Sequence, residues 1–538
     1  GRPQADDVRL TLNGAPWADF SATTQPRRYT LLLPPNLPNE LAVGIHSPTF
    51  RVSGDARRLG IKLEGFAVVL ARDSLPFPTM PQFLWQIALI LAAQLAAVRL
   101  GWRRRTLLGL ALALALALAA LLSGALLLTY NYLPRLAVAG GALAALTWLG
   151  LPLAERRLQW AGDAREIRLL WALMLGACAI RLVGVLYPTF AGQDLGLNLG
   201  RWIKTVTGQM IVIAPSSEFA NGLTIYPPGP YLAALPGATL FSDRGSLLQG
   251  VLAVLDGATA FLVALLARRL GGNRDAARFG LLLYAGSTTA FAALEFGFAA
   301  QIFGQWFTTP LALLLMASTA PPRPRAWLLA ALLLLLGVFS HVGVAILGVT
   351  WMGITLLLTL PRDRRDALWG MALMTVGGLL ALGLLYIDIA AITLNHATST
   401  VTQRGAGGGL PGATPLLFKG ARLAYTDIGL ATLPLGLLLI ARARAGGGRL
   451  TVPLAWLLTT LLFFVVDLLL AVQVRYFYFA LPLALAAIAI VLGRLAARGR
   501  LSRFATWALV LMLFLQGVMF WYSSAFGDGQ LSMTPLTH

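Results

Sequence analysis

The sequence predicts a polytopic α-helical membrane protein with about fourteen crossings of roughly 20 residues each, preceded by a small N-terminal β-sandwich. Three observations lead there. The 538 residues are 57% hydrophobic and 12% charged, with a mean hydropathy of +0.74, more apolar than one water-soluble core requires and far less charged than its surface would be. Long apolar segments recur from Gln82 onward. The basic residues between them gather in alternate loops, around Arg103, Arg156, Arg268, Arg323, Arg364, Arg444 and Arg498. A net charge of +20 in a soluble domain would suggest nucleic acid, but this alternation is the positive-inside signal and argues against a nucleic-acid partner.

Residues 1–80 differ from the rest. DVRLTLNG, RRYTLLLPP and LAVGIHSPTF, broken by NG, PP and NLPN, read as strands and turns. LGIKLEGFAVVLA adds two more short strands with a bend at Glu64-Gly65, about five in all. The chain starts at Gly1 with neither an initiator Met nor a signal segment, so the β domain is expected to be incomplete, lacking earlier strands and an upstream membrane segment.

The crossings begin near Gln82, Thr106, Leu136, Ile167, Ser246, Ala276, Ile302, Ala326, Val342, Ala367, Ala424, Leu450, Tyr476 and Phe504. Those in 81–166 form an accessory group, 167–495 a main domain, and 496–538 the last helix with its tail. Ala326 to Leu360 has arginines beyond both ends, so both ends belong on the cytoplasmic side, and two short helices hinged near Ser340-His341 are predicted. The β domain, the 188–245, 290–301 and 388–423 loops and the C-terminus then share the extracytoplasmic face of the plasma membrane. No GxxxxGK[ST] motif occurs, and no soluble cytoplasmic domain remains to hold an ATPase. The single cysteine, Cys178, rules out an intrachain disulfide, and four scattered histidines suggest no metal centre.

The loop after the fourth crossing opens with QDLGLNLGRWIKTVTGQ. At 100° per residue, Asn198, Arg201 and Thr205 fall within about 40° of Asp194, with Lys204 on the same flank and Leu195, Leu199, Trp202, Ile203 and Val206 on the other arc. This is an amphipathic helix lying on the outer surface, its polar side expected toward water and its apolar side toward lipid or the helix bundle. Asp194 is in place for an N-cap, and YPPGP (226–230) for a rigid turn. Asp256, Asp388 and Asp467 lie in or beside apolar helices, where an acid faces a cavity or a partner, and Arg181 is a candidate partner for Asp256. Glu295 can hold a ligand or simply be solvated at the interface. Arg475, before Tyr476-Phe477-Tyr478, suits an aromatic belt as well as a site. His341 satisfies a turn, and LALALALALAALL (110–122) is lipid-facing helix.

Taken together, Arg181 in a membrane segment, the acidic opening QDLGLNLGRW, Glu218, YPPGPYL and the buried-aspartate helix VLAVLDGATAFLVALLARRL resemble the GT-C class of polytopic glycosyltransferases. EFGFAAQIFGQWF, with Glu295 and Gln305, is similar to the second outer loop of that class, and RYFYFALP (475–482) to its late aromatic segment. The β region resembles the jelly-roll, carbohydrate-binding-like domains appended to bacterial relatives. The resemblance covers residues 167–495 and implies transfer of a sugar from a polyprenyl-phosphate donor to a carbohydrate, lipid or protein acceptor on the outer side. It makes Asp194 the base, and Arg201, Lys204, Glu218, Tyr226, Glu295, Gln305, Arg475 and Tyr476 substrate-binding residues. Relatives with two adjacent acids in the first loop suit a divalent cation. Here the pair is Gln193-Asp194, which leaves a one-base mechanism without an assigned metal ligand, or an inactive relative.

Two other classes compete: a lipid or solute transporter driven by the intramembrane acids, and a catalytically silent subunit docked into a larger membrane complex through residues 82–153. No internal repeat or pair of interrupted helices favours the transporter. The glycine-rich TQRGAGGGLPGATP, in 388–423, reads as a mobile flap or plain linker.

Overall fold

In the computed structural model, residues 7–21, 27–34, 42–49, 61, 78–124, 126–216, 222–239, 243–317, 324–387, 410–444, 450–470 and 475–527 are described. The chain divides into two compact units, 1–75 and 76–538.

In the first unit, β1 (Asp7–Leu12) and β2 (Ala15–Ser21) form an antiparallel hairpin, and β3 (Val43–His46) pairs with the other edge of β1. Val8, Leu10 and Leu12 alternate inward along β1, as a half-buried strand requires. Asn13 and Gly14 both take positive φ, 50° and 84°, the conformation that a two-residue hairpin turn needs. Residues 27–34, expected as a strand, carry no regular structure. Their YTLLLPP composition favours extension, but a pair of prolines removes the ladder donors. Of the two strands expected in 59–71, Ile61 carries no regular structure, and the other residues lie outside the described ones.

The second unit is a polytopic helical membrane protein. Among the described residues, twelve helices are long and apolar enough to cross a membrane. In order the elements are α1 (Met80–Arg99), α2 (Arg104–Gly124), α3 (Leu126–Arg157), α4 (Ala164–Val185), α5 (Leu195–Val206), the hairpin β4 (Val212–Ser216) and β5 (Gly222–Tyr226), and α6 (Gly229–Ala234). Then follow α7 (Arg244–Arg269), α8 (Arg274–Ala285), α9 (Thr288–Phe296), α10 (Ala299–Trp306), α11 (Thr308–Ala317), α12 (Pro324–Val338), α13 (Val342–Thr359) and α14 (Arg364–Ala381). After a π turn at Leu382–Tyr386 come α15 (Leu410–Arg444), α16 (Thr451–Leu470), α17 (Tyr476–Ala496) and α18 (Arg500–Phe526). The other two expected crossings, from Ile302 and from Ala326, fall on α10–α11 and α12, helices shorter than a single crossing needs. A break at Phe307 divides the first of them.

Caps explain several helix starts. Asp163, Asp243, Asn273, Ser287 and Asp363 each accept a hydrogen bond from the amide three residues on, satisfying one of the free first-turn donors. The predicted hinge is present: α12 stops at Val338 and His341 caps α13, its Nδ1 accepting from the Gly343 amide at 3.0 Å. A Cβ on Gly348 would lie 3.0 Å from Leu334, and one on Gly337 3.6 Å from Val344. Positions equidistant from the hinge therefore face each other, and α12 and α13 form a tight antiparallel hairpin. Residues 388–409 of the expected flap lie outside the described residues, while from Leu410 the chain is helical rather than a linker.

The core is built around α17, nearly all of which is buried. Pro482 has no amide proton, so the Tyr478 carbonyl loses its helical donor. Gln305 Nε2 from α10 donates to that oxygen instead. Trp456 Nε1 takes the Phe479 carbonyl at 3.1 Å, and the Tyr425 hydroxyl takes that of Phe477 at 2.8 Å.

The expected Arg181–Asp256 pair forms between α4 and α7, with both side chains fully buried and Nε to Oδ2 at 2.5 Å. Tyr284 and Tyr478 donate to Asp256 Oδ1 at 2.8 and 3.2 Å, and Arg181 also donates to the carbonyls of Ala177, Tyr284 and Ala285. Each charge is thus met by several partners, the condition under which a buried ion pair is tolerated.

Candidate functional site

The site is assembled where the loop after α4 meets the turn after α9. Gly297 ends α9 with φ 73°, and a Cβ on Gly192 would lie 3.1 Å from the Gly297 Cα. Glycine at both positions lets two backbones touch. The Gln193 and Asp194 amides then donate to the carbonyls of Glu295 (2.9 Å) and Phe296 (3.0 Å). Asn198 adds a third tie, its Nδ2 donating to the Gly297 carbonyl at 2.8 Å while its Oδ1 accepts from the Tyr231 hydroxyl at 2.9 Å.

Asp194 occupies the position before α5, but its side chain accepts no capping hydrogen bond. The carboxylate is half-buried, and the N-cap hydrogen bond expected of it is not made. Its φ and ψ, −91° and 9°, are those of the bridge region, in which the side chain is not presented to the following amides as an extended N-cap residue presents it. Tyr231 lies within electrostatic range of Asp194 and hydrogen-bonding reach of Arg201. Burial raises the Tyr231 pKa above its ordinary value, and Arg201 only partly offsets this, so the phenol stays protonated and keeps its bond to Asn198. The Arg201 guanidinium lies over the Tyr226 ring, Cζ 3.5 Å from the centroid, a contact that fixes the cation's plane.

The face presented by α5 differs from expectation. Asn198 and Thr205 are buried together with Trp202, whereas Leu197, Ile203 and Val206 are exposed. Asn198 turns inward because it bridges Gly297 and Tyr231, and Thr205 because its hydroxyl bonds back to the Arg201 carbonyl at 3.0 Å. The exposed apolar edge suits lipid, and of the expected polar face Asp194, Arg201 and Lys204 keep access to solvent.

The same turn reaches Arg475. That residue, at φ 54°, starts α17, lays its guanidinium over the Phe298 ring at 3.6 Å and donates from Nη1 to Gln301 Oε1 at 2.5 Å. Residues 295–298 thus join Asp194 on one side to Arg475 on the other. The Glu295 side chain is buried beside Ser524, and its Oε2 accepts no hydrogen bond among the described residues. Gln305 is occupied by the Tyr478 carbonyl, with its own Oε1 unpartnered, and Tyr476 donates to Asp467 Oδ2 at 3.0 Å. Both sit deeper, in the packing of α17. Glu218 lies outside the described residues.

Tyr231, Asn198, Phe298 and Gln301 emerge only in three dimensions. Tyr231 stands in the YPPGPYL motif, but no spacing rule links it to Asn198 thirty-three positions earlier. Among the described residues no three His, Cys, Asp or Glu side chains are grouped to hold a metal ion. No protein-family model matches the chain, and no curated protein matches it.

Proposed function

We propose that the chain is a membrane glycosyltransferase of the GT-C type that moves a sugar from a polyprenyl-phosphate donor to an acceptor hydroxyl at the outer membrane face. The observation that carries this reading is the placing of the Asp194 carboxylate within electrostatic range of the Tyr231 phenol, which the Arg201 guanidinium also reaches. In the proposed reaction Asp194 takes the acceptor's hydroxyl proton as that oxygen bonds to the anomeric carbon. The bond from that carbon to the phosphate oxygen breaks, and the electron pair leaves with the polyprenyl phosphate. Arg201, Lys204 and Arg475 supply positive charge for the departing phosphate, two of them with planes held by aromatic rings. The exposed apolar edge of α5 suits a donor whose chain stays in the bilayer.

Transport is less well supported, because the two described acids it would use are engaged, Asp256 with Arg181, Tyr284 and Tyr478, and Asp467 with Tyr476; Asp388 lies outside the described residues. The deciding measurement is sugar release or transfer from a polyprenyl-phosphate-sugar by the purified chain and by Asp194→Asn. The expected outcome is a loss of about a hundredfold or more. Equal rates would remove Asp194 as the base, and an inert wild type with every donor tried would favour the silent-subunit reading.

A further inference from the structure

The arginines at the basic ends of the helices are not neutralised evenly. Where α4, α8 and α18 begin, they meet acids: Arg274 with Asp163 at 3.0 Å, Arg278 with Glu166 at 2.5 Å, and Arg503 with Asp275 at 3.2 Å. The corner where α1 turns into α2 beside the end of α3 is different. Arg99, Arg103, Arg104, Arg105, Arg156 and Arg157 take part in no ion pair among the described residues, and all but Arg99 are exposed. The carboxylate at this corner, Glu155, is already bound by Arg168 at 2.5 Å.

Contacts place these groups together. Gly101, in the α1–α2 turn, comes so close to α4 that a Cβ on it would lie 3.1 Å from the Arg168 guanidinium. Trp148 of α3 donates from Nε1 to the Leu95 carbonyl at 3.1 Å, and the Arg99 guanidinium lies 5.9 Å from its ring centroid. Trp102 and Trp148 are 40% and 47% exposed, and the apolar Leu108, Leu149 and Leu153 beside them are more so. Tryptophans between a lipid-facing apolar band and a cluster of cations mark the level of the headgroups. Arginines there reach phosphate oxygens in paired N–H geometry.

We propose that this α1–α3 corner is a binding site for acidic phospholipid of the leaflet it faces, with phosphodiesters seated among Arg103, Arg104, Arg105, Arg156 and Arg157 and the acyl chains lying along α2 and α3. The charge excess needs a diffuse or a bound counter-anion, and the adjoining tryptophans and leucines select one that carries an apolar tail. Five exposed arginines exceed the charge of a single phosphodiester, so the corner holds more than one headgroup or one with two phosphates. Nothing in this depends on the proposed transferase activity.

The test uses the full chain in nanodiscs of phosphatidylcholine doped with phosphatidylglycerol. The protein is re-extracted in mild detergent, and retained phospholipid is counted by native mass spectrometry. Wild type is expected to retain phosphatidylglycerol in preference to phosphatidylcholine. R103Q/R104Q/R105Q is expected to lose that retention by roughly a hundredfold, at about fivefold per arginine. A second variant, R156Q/R157Q, keeps the test open should the first not fold. The control R498Q/R500Q, at another basic end, is expected to change retention less than twofold or so, as its arginines lie outside the corner. Excess inorganic phosphate is expected not to displace the lipid, since it has no tail for the tryptophan band. The proposal is overturned if wild type shows no preference, if the corner and control variants lose lipid equally, or if free phosphate competes as well as lipid does.

Discussion

At the scale of single residues, the buried acids hold the fold through named partners. Asp256 accepts from Arg181 and two tyrosines in a site that excludes solvent. Removing one partner leaves an uncompensated charge, so Arg181→Met or Asp256→Leu alone is expected to destabilise by about 3–5 kcal/mol. Replacing both is expected to cost much less than the sum of the singles, and a double-mutant cycle on thermal unfolding in detergent measures this; additive losses would show that the pair is not coupled. Gly192 is a second point of strictness. Gly192→Val would push a side chain into the Gly297 backbone and separate the two loops that carry Asp194 and Phe298. A folded Gly192→Val protein with lost transferase activity is the expected result, and unchanged activity would show that this contact does not shape the site.

At the scale of elements, each helix meets the core through its own device. α18 comes to backbone distance: a Cβ on Gly517 would overlap the Gly286 carbonyl, and Trp521 stacks on Phe291 at 5.2 Å while donating to the Ile180 carbonyl. α7 depends on its cap. Asp243 accepts from the Ser246 amide at 3.0 Å and hydroxyl at 2.7 Å, and pairs with Arg135 at 2.6 Å. Burial raises the Asp243 pKa, but these donors outweigh it and hold the carboxyl below its ordinary value of 3.8. Because the folded pKa is the lower one, the stabilisation is present above that ordinary value and disappears as pH falls through the folded pKa. Asp243→Ala is expected to cost about 1 kcal/mol at neutral pH. That difference from wild type should shrink below about pH 4, where wild type loses the contribution too, and unfolding midpoints across acid pH give the check. A cost that persisted unchanged at low pH would mean that packing, not the ionised cap, stabilises this helix start.

At the scale of the whole molecule, sidedness can be tested because Cys178, the chain's one cysteine, is fully buried and leaves a quiet background for labelling. Lys204→Cys and Arg498→Cys are expected to react with a membrane-impermeant maleimide from opposite sides of the bilayer, Lys204→Cys from the outside. Labelling of both from one side would overturn the proposed orientation and, with it, the proposed placing of the α5 loop beside an outward-facing donor.

The sequence by itself determined the membrane class, the main run of helices, the α12–α13 hinge and the Arg181–Asp256 pairing. These follow from local rules, namely the length of an apolar segment, the side on which arginines collect, and the scarcity of charge in a hydrocarbon layer, all readable without knowing what touches what. It also singled out Asp194 and Arg201 on one edge of a helix, but put Asn198 and Thr205 on the side toward water, where both are buried. Helical periodicity reports only which residues share a face. Asn198 is buried because a carbonyl from Gly297 and a phenol from Tyr231 await it, and Asp194 is released from capping because its loop is fixed instead to Glu295 and Phe296. Both outcomes depend on backbones far apart in the chain touching at two glycines, and close contacts of that kind are decided only when the helices pack.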